Sequence, residues 1–279
     1  MEFFLYIFIA FVFLFFPEGK EAGVTLALES VKNVVIATLF PMMVITRAIS
    51  GSRIMFRIQK TLATCRIWQR LNLSPALITP VTLGIISGFP ASARQIEKLL
   101  EEKRISDREA LKALALSSAP SPAFVIGIVS RNAFHGIFIF TLTLSLSYLI
   151  VCRVKSTPSK AENDFCQFTF PSALFSSVSS ALTVSGNIIF FTLLLSLFSF
   201  LPHKIILVIS AFLELGSGSV MLSKKPLLLA FLTGWGGLSA LCQIQSEAPR
   251  VKVNLYIKVR LLSALLLVVL EIILFYSKI

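Results

Sequence analysis

Long apolar runs alternate with short polar loops along most of this chain of 279 residues. The runs occupy residues 34–49, 135–151, 183–201, 205–222, 227–245 and 263–276. A helix that crosses the hydrocarbon core needs about 20 mostly apolar residues, so the pattern predicts an all-α polytopic membrane protein. No polar stretch is long enough to form a second core, and residues 1–279 are predicted to form a single membrane domain.

Residues 83–129 depart from this pattern, because helix-breaking residues interrupt two apolar stretches that flank a charged segment. The first interruption contains Gly88, Phe89, Pro90 and Ser92, and the second contains Ser117, Ser118, Ser121 and two prolines. Unpaired backbone groups are too costly in lipid unless they face protein or a wet cavity. We therefore predict that both interruptions border the solute site of a transporter. The alternative for the second is a proline kink whose freed carbonyls bond the serines.

Two courses are open to residues 76–93, which either cross the bilayer or dip into it and turn back at Gly88-Phe89-Pro90. A crossing would place the Lys/Arg-rich segments 47–70 and 94–112 on opposite sides of the membrane. Because such segments favour the cytoplasmic side, a dip in the form of a re-entrant hairpin is predicted. A capping box at Ser106 then predicts a helix that begins near Asp107, breaks over residues 117–122 and resumes to residue 129.

The composition excludes several other classes of protein. Hydrophobic residues make up 56% of the chain, charged residues make up 14%, and the net charge is +12. Since the basic residues gather in loops between apolar runs, the charge is explained without nucleic acid, and no nucleic-acid-binding motif accompanies it. The cysteines have no C-x-x-C spacing, and no enzyme signature is present, so neither a metal, a cofactor nor catalysis is predicted.

Glu214 is the only acidic residue in the apolar run 205–222. An ionisable group at membrane depth indicates function by default, and Ser217 lies on the same helical face. Gly216 and Gly218 permit close approach of other backbone. Glu214 is therefore predicted to bind solute or to couple transport to protons. The alternative is a structural carboxylate that accepts hydrogen bonds from the freed N–H groups of a broken helix.

The run 227–245 contains a further interruption, Gly234-Trp235-Gly236-Gly237, and continues with Ser239 and Gln243. An alignment of GFPASARQI from Gly88 with GWGGLSALCQI matches Gly, an aromatic residue, Ser-Ala and Gln-Ile when gaps are allowed. With the similar order of elements, this match predicts two related halves, residues 30–152 and 165–279. Gly236, Gly237, Ser239 and Gln243 join the predicted solute site, with the two glycine-rich segments as its tips.

Three further predictions concern the ends of the chain. Residues 3–16 are apolar but cover only about 21 Å as a helix, which predicts a retained membrane anchor rather than a cleaved signal. Residues 17–32 are predicted to lie at the membrane interface as an amphipathic helix. Glu271 lies near the C-terminus and is predicted to snorkel to the interface.

The segment SGFPASARQIEKLLEEKRISDREALKALALSSAPSPAFVIGIV resembles the nucleoside-recognition (Gate) domain, specifically the sporulation integral membrane protein YlbJ type. The matching residues are Ser87-Gly88-Phe89-Pro90, Ile105-Ser106, Glu109-Ala110, Pro122-Ala123-Phe124, Gly127, Leu213-Glu214-Leu215, 234–239 and Gln243. The chain departs from the family at Ser92, where the family has glycine, and at Ser117-Ser118, where it has two asparagines. Both departures fall in the presumed ligand region, so the solute or the activity is expected to differ.

The resemblance implies a fold like that of concentrative nucleoside transporters, with re-entrant hairpins and broken helices, in a bacterial cell membrane. It also implies recognition or movement of a small polar solute, either a nucleoside or a small organic anion such as dipicolinate. Coupling to H⁺ or Na⁺ and assembly as a homo-oligomer are left open. The alternative function is a non-transporting membrane protein that uses this scaffold to bind a partner during envelope or spore assembly.

Overall fold

The computed structural model describes residues 20–129, 132–159 and 169–276, so the predicted anchor at residues 3–16 lies outside the described residues. The described residues form helices and no strands. Five helical stretches among the described residues, some made of two consecutive helices, are long and apolar enough to cross a membrane. The prediction of an all-α fold is confirmed for these residues, and their long apolar helices are consistent with a multi-pass membrane protein.

The helices are numbered in chain order. They are α1 (Lys20–Ser30), α2 (Phe40–Ser50), α3 (Arg53–Ala63), α4 (Arg66–Leu71), α5 (Ile78–Ser87), α6 (Ala93–Glu101), α7 (Asp107–Ser117), α8 (Pro122–Phe124), α9 (Ala133–Cys152), α10 (Phe170–Ser196), α11 (His203–Leu213), α12 (Leu215–Met221), α13 (Pro226–Trp235), α14 (Gly237–Glu247) and α15 (Asn254–Tyr276). A π-helical segment, Val31–Leu39, joins α1 to α2, and another, Val125–Val129, continues α8.

The five spans divide into an outer and an inner set. In the outer set, Glu21–Ser50, Ala133–Cys152 and Phe170–Ser196, only 28% of each apolar stretch is buried inside the protein. The inner spans, Asp107–Gly127 and Pro226–Glu247, are 72% and 67% buried. The inner spans contain the interruptions that the sequence predicts at residues 117–122 and 234–237. Their irregular backbone is therefore packed within protein, as the cost of unpaired backbone groups in lipid requires.

The predicted capping box is present at the start of α7. Ser106 Oγ accepts a hydrogen bond from the Glu109 N–H, and the Glu109 carboxylate accepts one from the Ser106 N–H. The helix ends at Ser117, and α8 begins at Pro122 with the Ser121 side chain as its N-cap. The predicted helix start and break are confirmed.

Two short junctions between described helices reverse the direction of the chain. At the first, between α5 and α6, a Cβ placed on Gly84 would lie 2.6 Å from the Cβ of Ser92. At the second, between α11 and α12, a Cβ placed on Gly218 would lie 3.1 Å from the carbonyl oxygen of Ser210. Residues on either side of each junction are thus in close contact, and each junction is the tip of a helical hairpin.

Two predicted element boundaries are wrong. The pattern begins an apolar run at residue 183 and ends it at residue 201, but α10 runs without a break through Phe170–Ser196. Residues 17–32 are predicted to lie apart at the interface, but α1 continues through the π-helical segment into α2 as one apolar span. Polar residues such as Ser179 and Ser180 resemble a boundary in sequence, although Ser180 is buried against neighbouring helices.

The basic loops gather at one end of the helix bundle. Lys112 donates hydrogen bonds to the Leu71 carbonyl and to Ser156 Oγ, which ties the loop before α5 to the loop after α9. Arg94 at the start of α6 lies 3.3 Å from Glu247 at the end of α14. We call residues 51–74, 94–106, 153–159 and 248–253 the basic face. The opposite end contains residues 197–203 and 222–226.

Candidate functional site

A small cavity lies where the two hairpin tips meet the inner spans. Its polar or irregular lining includes Gly88, Phe89, Ser121, Glu214 and Gln243. The rest of the lining is Val34, Leu39, Pro120, Phe124, Val184, Ile188, Leu215 and Gly216. Its volume of about 30 Å³ accommodates one or two water molecules. The described conformation therefore leaves room here for water but not for a larger solute.

The first hairpin tip packs directly on the first helix break. Gly88 has φ +79°, and a Cβ there would lie 2.8 Å from the backbone nitrogen of Ser121. The N–H of Phe89 donates a hydrogen bond to the Ala119 carbonyl at 3.2 Å. The peptide bond between Phe89 and Pro90 is cis. Only glycine fits this contact without strain, and the tip satisfies one of the carbonyls that the break leaves free.

Behind this tip, three predicted site serines are buried outside the cavity lining. Ser117 Oγ donates to the Ala113 carbonyl at 2.8 Å, and it lies 2.8 Å from Ser92 Oγ. Ser118 Oγ is fully buried and has no hydrogen-bond partner in the part of the chain that the structure describes. Ser92 and Ser117 therefore join the hairpin tip to the end of α7, rather than face the cavity.

Glu214 forms the tip of the second hairpin. Its backbone is extended, and its carboxylate accepts hydrogen bonds from the N–H groups of Gly216 at 2.8 Å and Ser217 at 2.5 Å. Ser217 Oγ donates a third bond at 2.7 Å, and Thr192 on α10 donates to that hydroxyl. The carboxylate thus caps α12, as the structural alternative for this residue expects. Glu214 also lines the cavity, so the geometry accommodates both a structural and a solute-binding role.

The second helix break packs on the second hairpin tip in the same way. Gly236 and Gly237 both have positive φ, at +90° and +85°. A Cβ on Gly237 would lie 3.0 Å from the Leu213 carbonyl oxygen and 3.2 Å from the Cα of Glu214. The indole N–H of Trp235 donates to the Phe212 carbonyl at 3.1 Å. Each tip is therefore held against one broken span by backbone contact.

The remaining predicted site residues lie on α14. Gln243 lines the cavity, and its amide nitrogen donates to Ser239 Oγ one turn earlier at 3.0 Å. Both side chains are buried. The Ser239 hydroxyl orients the Gln243 amide, whose oxygen remains as an acceptor in this geometry.

Gly88 and Gly234 lie in different kinds of element, although the sequence alignment pairs them. Gly88 follows α5 at a hairpin tip, whereas Gly234 lies near the end of α13, which α14 continues as one span. Glu214 lies at the hairpin tip of the second half, as Gly88 lies at the hairpin tip of the first half. The expectation of a second tip at residues 234–239 is wrong, because the glycines there interrupt a span without reversing it.

Glu271 also differs from its prediction. Its side chain is buried, and one carboxylate oxygen lies 3.4 Å from Nε2 of His135 on α9. It therefore lies within the helix bundle and does not snorkel to the interface. Its position near the end of the chain predicted a side chain at the membrane interface. The side chain is buried instead, because α15 packs against α9.

Near the basic face, four elements are joined through polar side chains, all of them buried except the half-exposed Arg94. Arg47 on α2 donates to Ser177 Oγ at 3.2 Å and to Ser180 Oγ at 2.7 Å on α10. Ser180 in turn donates to Glu247 at 3.1 Å, and Glu247 pairs with Arg94. Sequence reasoning places Arg47 among the loop cations, because nothing in the pattern shows which basic residue turns inward.

Comparisons with protein families, with curated proteins and with solved structures found no match.

Proposed function

We propose that the protein is a secondary transporter that binds a small polar solute at the cavity between the hairpin tips. The observation that supports this most is the location of the irregular backbone. Both broken spans lie inside the protein, and both breaks meet the hairpin tips beside Glu214 and Gln243. A membrane protein keeps such interruptions where they line a polar path, and discontinuous helices are typical of solute sites in transporters.

The order of elements supports two related halves, residues 30–152 and 165–279. Each half contains a long span, a hairpin of two short helices, a broken span and a closing helix. These are the π-helical segment with α2, α5–α6, α7–α8 and α9 in the first half, and α10, α11–α12, α13–α14 and α15 in the second. Together with the Gate-type residues, this order supports a fold like that of concentrative nucleoside transporters, with the two hairpins re-entrant.

The small cavity supports a closed stage of an alternating-access cycle. A volume of about 30 Å³ holds water but no nucleoside or organic acid, so solute entry requires one hairpin to move from its broken span. The solute in this proposal is a nucleoside or a small organic anion, moved across a bacterial cell membrane. The carboxylate of Glu214 is the group that would exchange a proton or contact Na⁺.

Uptake into proteoliposomes tests the proposal, with labelled uridine and labelled succinate as probes. We expect Glu214→Gln to lower the initial rate at least about tenfold, because an amide nitrogen cannot accept the hydrogen bonds that the carboxylate accepts. Glu29→Gln on the exposed side of α1 is the matched control and should leave the rate unchanged.

A second variant tests the contact behind the first tip. Ser117→Leu would push a larger side chain against Gly84 and Ser92, whereas Ser117→Ala removes only the hydroxyl. If neither Glu214→Gln nor Ser117→Leu changes uptake, the site assignment is wrong. If a chain with both changes still complements a deletion strain, the protein acts through a partner instead.

A further inference from the structure

Arg260 on α15 is a buried cation for which no counter-charge is found in the part of the chain that the structure describes. Its side chain is 1% exposed, and none of its three guanidinium nitrogens has a hydrogen-bond partner there. The hydroxyl of Tyr256, one turn earlier, is also buried without a partner among the described residues. A buried charge that is neither paired nor hydrogen-bonded is strongly unfavourable, so such a group indicates a missing ligand.

Tyr256 and Ala264 show which way Arg260 faces. A Cβ on Gly236 would lie 3.5 Å from the Tyr256 hydroxyl, and a Cβ on Gly234 would lie 2.3 Å from the Cα of Ala264. Arg260 is four residues from each of them, and residues at this spacing share one face of a helix. Arg260 is therefore on the face of α15 that packs along the break between α13 and α14.

The groups around this break offer hydrogen-bond donors and positive charge. Neither the guanidinium group of Arg260 nor the uncharged phenol of Tyr256 is bonded to a carboxylate of the described residues, so both remain available as donors. The first turn of α14, an 11-residue helix that begins at Gly237, presents N–H groups without partners inside the helix. A helix N-terminus beside a guanidinium group and a phenol hydroxyl matches the chemistry of an oxyanion.

We infer that Arg260 binds the carboxylate or phosphate group of a small anionic solute, with Tyr256 and the N-terminus of α14 as further donors. This inference rests on the proposed function and selects its substrate class, an organic anion rather than a neutral nucleoside. A Cβ on Gly236 would lie 3.9 Å from the ring of Phe89, which lines the cavity. Gly236, which also lies beside the Tyr256 hydroxyl, thus contacts a residue of the cavity lining, and the inference requires the tip at Phe89 to move so that one solute reaches both.

Thermal denaturation of the full chain in lipid-free detergent tests the inference, with succinate, inorganic phosphate and uridine as probes. We expect succinate or phosphate to raise the Tm of the native protein and uridine to have no effect. In Arg260→Gln the apparent affinity for the anion should fall about 30-fold or more, because one partner of a buried charged contact is lost. Arg260→Lys should retain part of the affinity, since it keeps the charge without the planar fork.

Arg57→Gln on the exposed surface of α3 removes an equal charge and should leave anion binding unchanged. Without ligand, Arg260→Gln should unfold at the same Tm as the native protein or higher, since it removes an unpaired buried charge. A lower Tm would show that Arg260 has a structural partner and would overturn the inference. It is also overturned if succinate and phosphate stabilise Arg260→Gln as well as the native protein, or if anionic lipid, added in a separate series, stabilises either protein when succinate and phosphate do not.

The two proposals fail in different ways. Binding of uridine that depends on Glu214 but not on Arg260 would refute the anion site and leave the transporter proposal intact. Anion binding that depends on Arg260 without uptake into proteoliposomes would refute transport and leave the anion site intact. If none of the three probes stabilises the native protein, the anion site is refuted and the uptake assay alone decides the function.

Discussion

At the scale of single residues, Glu214 shows how far pattern reasoning reaches. Its isolation in an apolar run identifies it as important, and the structure places it at the cavity. The run gives no sign that the chain reverses there, because the reversal is stabilised by hydrogen bonds that the N–H groups of Gly216 and Ser217 donate to the Glu214 carboxylate. The pattern does not identify Arg260 either, since one arginine in a basic segment looks like any other.

Glu109 provides a prediction about stability at this scale. Its buried carboxylate accepts hydrogen bonds from the N–H groups of Ser74, Ser106 and Ser159, which belong to three separate segments. We expect Glu109→Gln to destabilise the fold by about 2 kcal/mol, because charge-assisted bonds to buried groups are lost. In detergent, the Tm should fall by about 4–8 °C.

Asp107 is the matched control for Glu109, because it is an exposed acid in the same first turn of α7. Asp107→Asn should change the free energy of unfolding by less than about 1 kcal/mol, since it loses only an interaction with the helix dipole. Equal losses of Tm in the two variants would contradict a bridging role for Glu109.

At the scale of elements, the sequence predicts where helices break but not the direction that the chain takes after each break. Gly88-Phe89-Pro90 and Gly236-Gly237 look alike as signals, yet the first ends in a reversal and the second in a continued span. Glycine and proline end the hydrogen-bond ladder of a helix, and packing decides the new direction. At Gly234 that packing is the close crossing with α15, which sequence spacing cannot reveal.

The crossing at Gly234 yields a prediction with a matched control. A Cβ at Gly234 would lie 2.3 Å from the Cα of Ala264, which is backbone and cannot rotate away. We expect Gly234→Ala to cost about 1–3 kcal/mol or to prevent folding. Gly186→Ala lies in the middle of α10 with no atom within 4 Å of its Cβ, and it should be neutral or stabilise by up to about 1 kcal/mol.

Measurement of Tm in detergent and of the monodisperse yield compares the two glycine variants. Similar behaviour of both variants would mean that α13 and α15 are not in backbone contact in the folded protein.

At the scale of the whole molecule, the basic face orients the protein in the membrane. The cytoplasmic side carries the Lys/Arg-rich loops, so the basic face is expected to be cytoplasmic. Sequence reasoning predicts that segments 47–70 and 94–112 share a side, and the bonds from Lys112 and Arg94 join these segments to other loops of that face. The ends of α1 at Lys20 and of α15 at Tyr276 then lie on the opposite side.

Labelling of single cysteines in sealed vesicles checks this orientation. In a chain whose four native cysteines are replaced by serine, Lys60→Cys and Lys252→Cys should react only with reagent on the cytoplasmic side. Lys224→Cys and Phe200→Cys should react only from the other side. Labelling of Lys60→Cys and Lys252→Cys from opposite sides would refute the shared basic face.

Under the proposed function, the small size of the cavity has a consequence for the energetics of transport. Since the closed state holds only one or two water molecules, any state that admits a solute must first take up many more. Opening is therefore a hydration step, and excluded osmolytes that draw water from the protein favour the closed form. The turnover of this protein should then depend on water activity as well as on the concentration of its solute.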